Sequence, residues 1–187
     1  MALALEDIGG ESCEPVSGLS GTVYYALQSD FVTINEPKKI CDPTPANVAA
    51  TFAELATIPT AHVFKTGKCF FKIDTVTETG TIKSTPIGET GRKLYQNELA
   101  ITVAGSADDL LGYCRWIKNQ KLIILFEEFG TGNVRQLGLS RLPALASAEH
   151  NIEATAEGNN SAVITFTDKN FGPAPIYKGA IQLVPEA

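Results

Sequence analysis

Two histidines and four cysteines are the side chains in this 187-residue protein best suited to act as base, nucleophile or metal ligand, and their spacing argues against all three roles. His62 falls in a predicted strand beside Val63, where a hydrogen-bonded structural imidazole is the expectation. His150 lies between Glu149 and Asn151 in a polar stretch and reads as solvated. Neither has a Ser, Cys or carboxylate at the spacing of a known catalytic motif. Cys13, Cys41, Cys69 and Cys114 form no CxxC pair. Zinc sites draw ligands two to four residues apart, so these thiols read as small apolar side chains.

Carboxylates and glycines fare the same way. Glu127 and Glu128 are adjacent on a predicted strand, and neighbouring strand residues face opposite sides. Asp108 and Asp109 fit the first turn of a helix, whose exposed N–H groups and dipole favour negative charge. Asp74 and Glu78 miss the calcium-loop pattern because Val76 occupies the third position. GTGNVRQLG lacks the last glycine of a dinucleotide fingerprint and precedes a strand, and the stretch at Thr66-Gly67-Lys68-Cys69 is not a phosphate loop. The sequence therefore predicts no enzyme, no cofactor and no metal.

The whole-chain numbers narrow the class further. Apolar residues make up 44% and charged residues 19%, enough apolar material for one packed domain. A net charge of −6 argues against a free-standing nucleic-acid binder. No apolar run is long enough to cross a bilayer as a helix, and MALALEDIGGE has no basic n-region. The expectation is a protein made and held in the cytoplasm, without membrane contact. Residues 1–20 read as an extended arm and 21–187 as one β-rich domain.

Periodicity supplies the elements. Gly21–Gln28 reads as a strand with an extension at Phe31–Ile34, and Ala61–Lys65 as a short strand. Pro45–Ala56 carries helix signals: Thr44 as N-cap, Pro45 in the first turn, and Val48, Phe52 and Leu55 on one stripe. A second helix is predicted over Ser106–Asn119, with Leu110, Tyr113, Cys114 and Ile117 as its apolar stripe and Trp116 off it. Leu122–Phe126 is continuously apolar, as in a strand buried on both faces, and Val134–Leu137 is its partner. Further strands are expected at Ile152–Ala156, at Val163–Thr167 and, between Pro175 and Pro185, at Tyr177–Val184. Most informative is a long hairpin, Cys69–Thr79 returning as Arg92–Val103 around a Gly- and Thr-rich tip at 80–91. In Leu94–Val103 one face (Tyr95, Asn97, Leu99, Ile101, Val103) suits a core and the other (Leu94, Gln96, Glu98, Ala100, Thr102) suits water. Such ribbons either complete a sandwich within the chain or are shared between copies. The class is α+β, β-rich, with about nine or ten strands and two helices.

The run GKCFFKI, then TPIGETGRKLYQNELAITVAG, the helix, and KLIILFEEFGTGNVRQLG resembles the tail tube proteins of tailed bacteriophages, over about Phe64 to Val184. The resemblance implies a tail-tube-like β-sandwich or barrel with a long hairpin and flanking helices, assembling as hexameric rings that stack into a conduit for double-stranded DNA ejection. Its partners would be copies of itself, neighbouring tail proteins (sheath, tape measure or terminator) and DNA passing without specific binding. The location implied is the virion tail. Lys72, Asp74, Gln96 and Glu98 would line the lumen. Leu3 and Leu5 in the arm, with Gly80, Ile82, Pro86, Gly88, Glu89 and Gly91 in the tip, would contact the adjacent ring. Six copies at −6 give about −36 per ring, which discourages DNA from sticking. Two other classes remain open: another virion part (neck, tail-terminator or head-decoration protein), and a carbohydrate- or protein-binding β-sandwich using Trp116, Tyr24, Tyr25 and Tyr113.

Overall fold

A computed structural model describes residues 20–76, 78–128, 132–153 and 160–186. β1 (Ser20–Leu27) leads through a 3-10 turn into β2 (Phe31–Thr33), and α1 (Phe52–Leu55) precedes β3 (Thr57–Ile58) and β4 (Val63–Phe64). β5 (Phe71–Val76), β6 (Thr81–Ile87) and β7 (Leu94–Ala104) follow, then α2 (Asp108–Ile117), β8 (Leu122–Glu127) and β9 (Val134–Leu137). The chain closes with β10 (Leu145–Ile152), β11 (Asn160–Asn170) and β12 (Ile176–Tyr177). Two sheets, ordered β3-β12-β9-β8-β1-β5 and β10-β11-β7-β6, form a sandwich, with β2-β4 as a third small ribbon and no sheet closed into a barrel. The β-rich α+β expectation holds.

Alternation along each strand decides what fills the layers. Val23, Tyr25 and Ile73 of the six-stranded sheet meet Leu99, Ile101, Val103, Ile164 and Phe166 of the four-stranded one. α2 adds Leu110, Tyr113 and Ile117 to this core. On the other face of the six-stranded sheet, Ala26, Ile123 and Leu125 pack with Phe31, Phe64, Phe70 and Tyr177 in a second cluster. That double cover explains the run Leu122–Phe126, in which every residue is buried.

Several expectations are revised. The predicted hairpin does not form, because β5 pairs with β1 and the arm returning as β7 pairs with β6 and β11. The stretch 80–91 is therefore mostly a strand: β6 runs along β7 from Thr81↔Ala100 to Ile87↔Leu94, and only the turn beyond Ile87 is a tip. Its polar composition hid it, since an edge strand with one covered face needs few apolar residues. The chain at 45–56 makes a 3-10 turn, Pro45–Asn47, and the single turn of α1; Thr44 offers no side-chain cap and Phe52 is 92% exposed. With Phe52 in solvent and Val48 and Leu55 only half-buried, packing gives the apolar stripe too little to sustain a longer helix. α2 begins two residues later than its Ser106 signal, at N-cap Ala107 without a side-chain cap bond. β10 sits earlier than Ile152–Ala156; Ala154 and Ala156 lie outside the described residues. After Tyr177 the chain leaves the sheet and runs beside the β4–β5 link, Phe70 N–H donating to the Gln182 carbonyl and Gly67 N–H to that of Glu186.

Candidate assembly face

Among the described residues no element covers the outer side of β10-β11-β7-β6. Register places Lys83, Glu98, Thr167 and Leu145 in one row across the four strands, and Thr81, Ala100, Thr165 and Ser147 in the next. Thr85, Gln96 and Lys169 form a third row. The face is thus rich in hydroxyls and amides, with Leu145, Val163, Ile87 and Leu94 as apolar residues among them, and its charges are Lys83, Lys169, Glu98 and Glu149, two of each sign. The strands on either border, β6 and β10, each have a neighbour on one side only.

Gln96 and Glu98 stand on this face, half-buried and exposed respectively. Lys72 and Asp74 do not join them: they sit on β5 of the other sheet, opposite Tyr24 and Thr22 and away from the main core. The lumen set drawn from the sequence is therefore split between two surfaces. Ile82 and Pro86 lie on β6 opposite Leu99 and Tyr95, so they face the core side and overhang its margin; Ile82 is 40% exposed. Gly80 is exposed where the chain crosses from β5 to β6, while Gly88, Glu89 and Gly91 form the exposed β6–β7 turn at the opposite end. Gly88 has φ +91°, and a Cβ there would lie 2.9 Å from the Arg92 carbonyl oxygen, so this turn needs glycine. Leu3 and Leu5 lie outside the described residues.

A chain of hydrogen bonds behind the face went unseen in the sequence. Asn97 Nδ2 donates to Asp168 Oδ1 (2.8 Å), and Gly138 N–H donates to Asp168 Oδ2 (2.7 Å). Gln136 Nε2 donates to the Gly138 carbonyl (2.9 Å), while its Oε1 lies 2.8 Å from His62 Nε2. His62 Nδ1 accepts from Asn35 N–H (3.1 Å), so the proton is on Nε2 and the imidazole is neutral. Burial holds the His62 pKa down at about 4, against the opposing bond from Gln136. Desolvation raises that of Asp168, opposed by the Gly138 and Asn97 donors. Among the described residues the buried Asn97 Oδ1 has no hydrogen-bond partner. Alternating apolar patterns could place Asn97 and Asp168 on inward faces, but not pair them 71 residues apart.

His62 is buried and hydrogen-bonded, as expected, though it precedes β4 rather than lying in a strand. His150 is half-buried on β10, its Nε2 3.3 Å from the Gly105 carbonyl, rather than in a loop. The aromatic side chains offered as sugar contacts belong largely to the core: Tyr25 and Tyr113 are buried, and Trp116 packs at 5.9 Å from the Tyr113 ring. Among the described residues no group of three His, Cys, Asp or Glu side chains is placed to hold a metal ion. No family model, no curated protein and no solved structure matches this chain.

Proposed function

We propose that the chain is a structural subunit that closes into rings through its four-stranded sheet, as in a bacteriophage tail tube, with the uncovered polar face lining the channel. The observation that carries this reading is a sheet that, among the described residues, is bare on one face and has a strand neighbour on only one side of each border strand. Its four strands alternate in direction, so β6 and β10 run in opposite senses. When β6 of one copy meets β10 of the next, the seam is antiparallel like every other pairing in the sheet. Closure then removes both borders. Sharing between copies thus falls on β6 and β10, whereas the ribbon β7 is paired on both sides within its own chain.

Four strands from each of six copies would enclose a barrel roughly 40–50 Å across at the backbone, from the usual strand spacing and tilt. Double-stranded DNA fits through such a bore. The balanced charge of the face supports passage without strong attraction, the net −6 of each copy being a figure for the whole chain. Partners in this reading are copies of the chain and other tail components, and the location is the virion tail. Negative-stain microscopy of the purified protein tests it: rings or tubes with a stain-filled centre are expected. A strict monomer at high concentration overturns it.

A further inference from the structure

The face of the six-stranded sheet turned away from the main core carries a thin layer of its own. The β2-β4 ribbon is a separate sheet. Phe31, Phe64 and Phe70, with Ile34 and Ile181 partly buried, seat this layer on Ala26, Ile123 and Leu125. The C-terminal strap, 178–186, is held mainly by backbone bonds from Phe70 N–H to the Gln182 carbonyl and from Gly67 N–H to the Glu186 carbonyl. Both bonds reach the link between β4 and β5, not the sheet. The main core shares no buried side chain with this layer.

His62 is where the pieces of the layer meet. Its backbone N–H donates to the Tyr177 hydroxyl (3.1 Å), which donates in turn to the Ala180 carbonyl of the strap (3.1 Å). Its Nδ1 accepts from Asn35 N–H, and the Asn35 side chain returns a bond to the Ala61 carbonyl (2.6 Å). Its Nε2 donates to Gln136 on β9 of the six-stranded sheet. The ring rests against Phe31, Phe70 and Tyr177, with centroids 5.5, 6.4 and 4.7 Å away. Gly179 crosses Ala61 so closely that a Cβ would lie 2.5 Å from the Ala61 Cα.

This arrangement fits only a neutral ring. An imidazolium donates from both nitrogens, and Nδ1 faces the Asn35 N–H, itself a donor. The charged groups nearby are already engaged. Asp30 on the ribbon side holds Lys68 at 3.4 Å, Lys65 donates to the Ser29 carbonyl, and Glu36 accepts from Ser140. Arg135, next to Gln136, is held by Glu128, and Lys178 after β12 adds like charge. Asp168 is reached only through Gln136 and Gly138. Tyr24 and Cys69 are the other titratable side chains packed on or beside the cluster. A buried cation without a partner is strongly unfavourable, so a charged ring must reach water. We propose that the layer is an acid-released latch: protonation of His62 frees the β2-β4 ribbon and the strap from the six-stranded sheet and uncovers Phe31, Phe64 and Phe70, while the sandwich behind stays folded. The latch is independent of how the four-stranded sheet is used.

Amide hydrogen exchange at pH 7 and pH 4, each at several low urea concentrations, tests the latch. Amides of 31–36, 62–70 and 177–186 should exchange through an opening that scarcely depends on urea and precedes that of β7 and β11. With the ring at about 4 when closed and at its ordinary value of 6.5 when open, that opening should become about 100-fold more frequent at pH 4, after correction for intrinsic exchange. Trp116, the only tryptophan and packed on the main core, should keep its emission spectrum at pH 4. His62→Leu should remove the pH dependence of the opening. Should that variant not fold, Gly179→Ala serves: its methyl against Ala61 should open the layer at pH 7 and, by linkage, raise the His62 titration followed by NMR. Outer-layer amides that exchange together with those of β7, at the same urea slope, overturn the latch. An opening equally frequent at pH 7 and pH 4 overturns the role of His62 in it.

Discussion

Three residues in the buried hydrogen-bond chain govern how stability depends on acidity and on backbone shape. His62 is neutral in the fold with a pKa of about 4, below its ordinary value of 6.5. Between those limits the unfolded chain binds a proton that the native state refuses. Stability contributed by the neutral site is therefore lost as pH falls from 6.5 to 4, by about 3 kcal/mol, and no further below that. Urea titrations at pH 7 and pH 4 should show this loss, and His62→Leu should flatten that part of the profile while lowering stability at pH 7. Asp168 works in the opposite sense: its raised carboxyl favours the fold as the group protonates, so stability rises as pH falls through its titration. Gly138 has φ +91°, and a Cβ there would lie 2.6 Å from the Leu122 carbonyl oxygen and 2.9 Å from Ala144 N. Gly138→Ala should cost about 2–4 kcal/mol, read as a drop in thermal midpoint. A Gly138 retaining full stability as alanine would mean that the loop can move away from β8.

Among the elements, β8 and the segment around α1 are opposite extremes. Ile124 is fully buried in the main core, and Ile124→Ala should destabilise by about 2–5 kcal/mol. Phe52 projects from α1 at 92% exposure, and Phe52→Ser should change stability by less than about 0.5 kcal/mol in a monomeric sample. Denaturant midpoints for the two variants check both. The contrast marks what the sequence could disclose. Leu122–Phe126 was legible because five consecutive apolar residues have few ways to be satisfied other than between two layers. Leu94–Val103 was legible because strict alternation names the core face outright, and the placement of Gln96 and Glu98 followed from it. Pro45–Ala56 misled because capping and periodicity describe a helix that a neighbour must still stabilise. β6 was missed because Thr81, Lys83 and Thr85 face outward, which leaves Ile82 and Ile87 as the only apolar residues in the strand. Pairing partners such as β5 with β1 depend on contacts some 50 residues apart, which no local pattern records.

At the scale of the whole molecule, among the described residues the four-stranded sheet offers a bare face and two borders, β6 and β10, paired on one side only, while β3 and β5 border the six-stranded sheet. The borders of the four-stranded sheet suit growth around a ring. Ser147→Pro on the border strand β10 should impair ring closure in micrographs, since proline removes a strand N–H and is poorly tolerated inside a sheet. The even strand count has a further consequence for how such a molecule can vary. Adding one strand to either border would make the two borders run the same way, and copies could no longer join by the same kind of pairing. Adding a hairpin would preserve the opposition and merely widen the bore. Lengthening by pairs is thus a tolerated change, and lengthening by one would halt assembly in a protein that still folds.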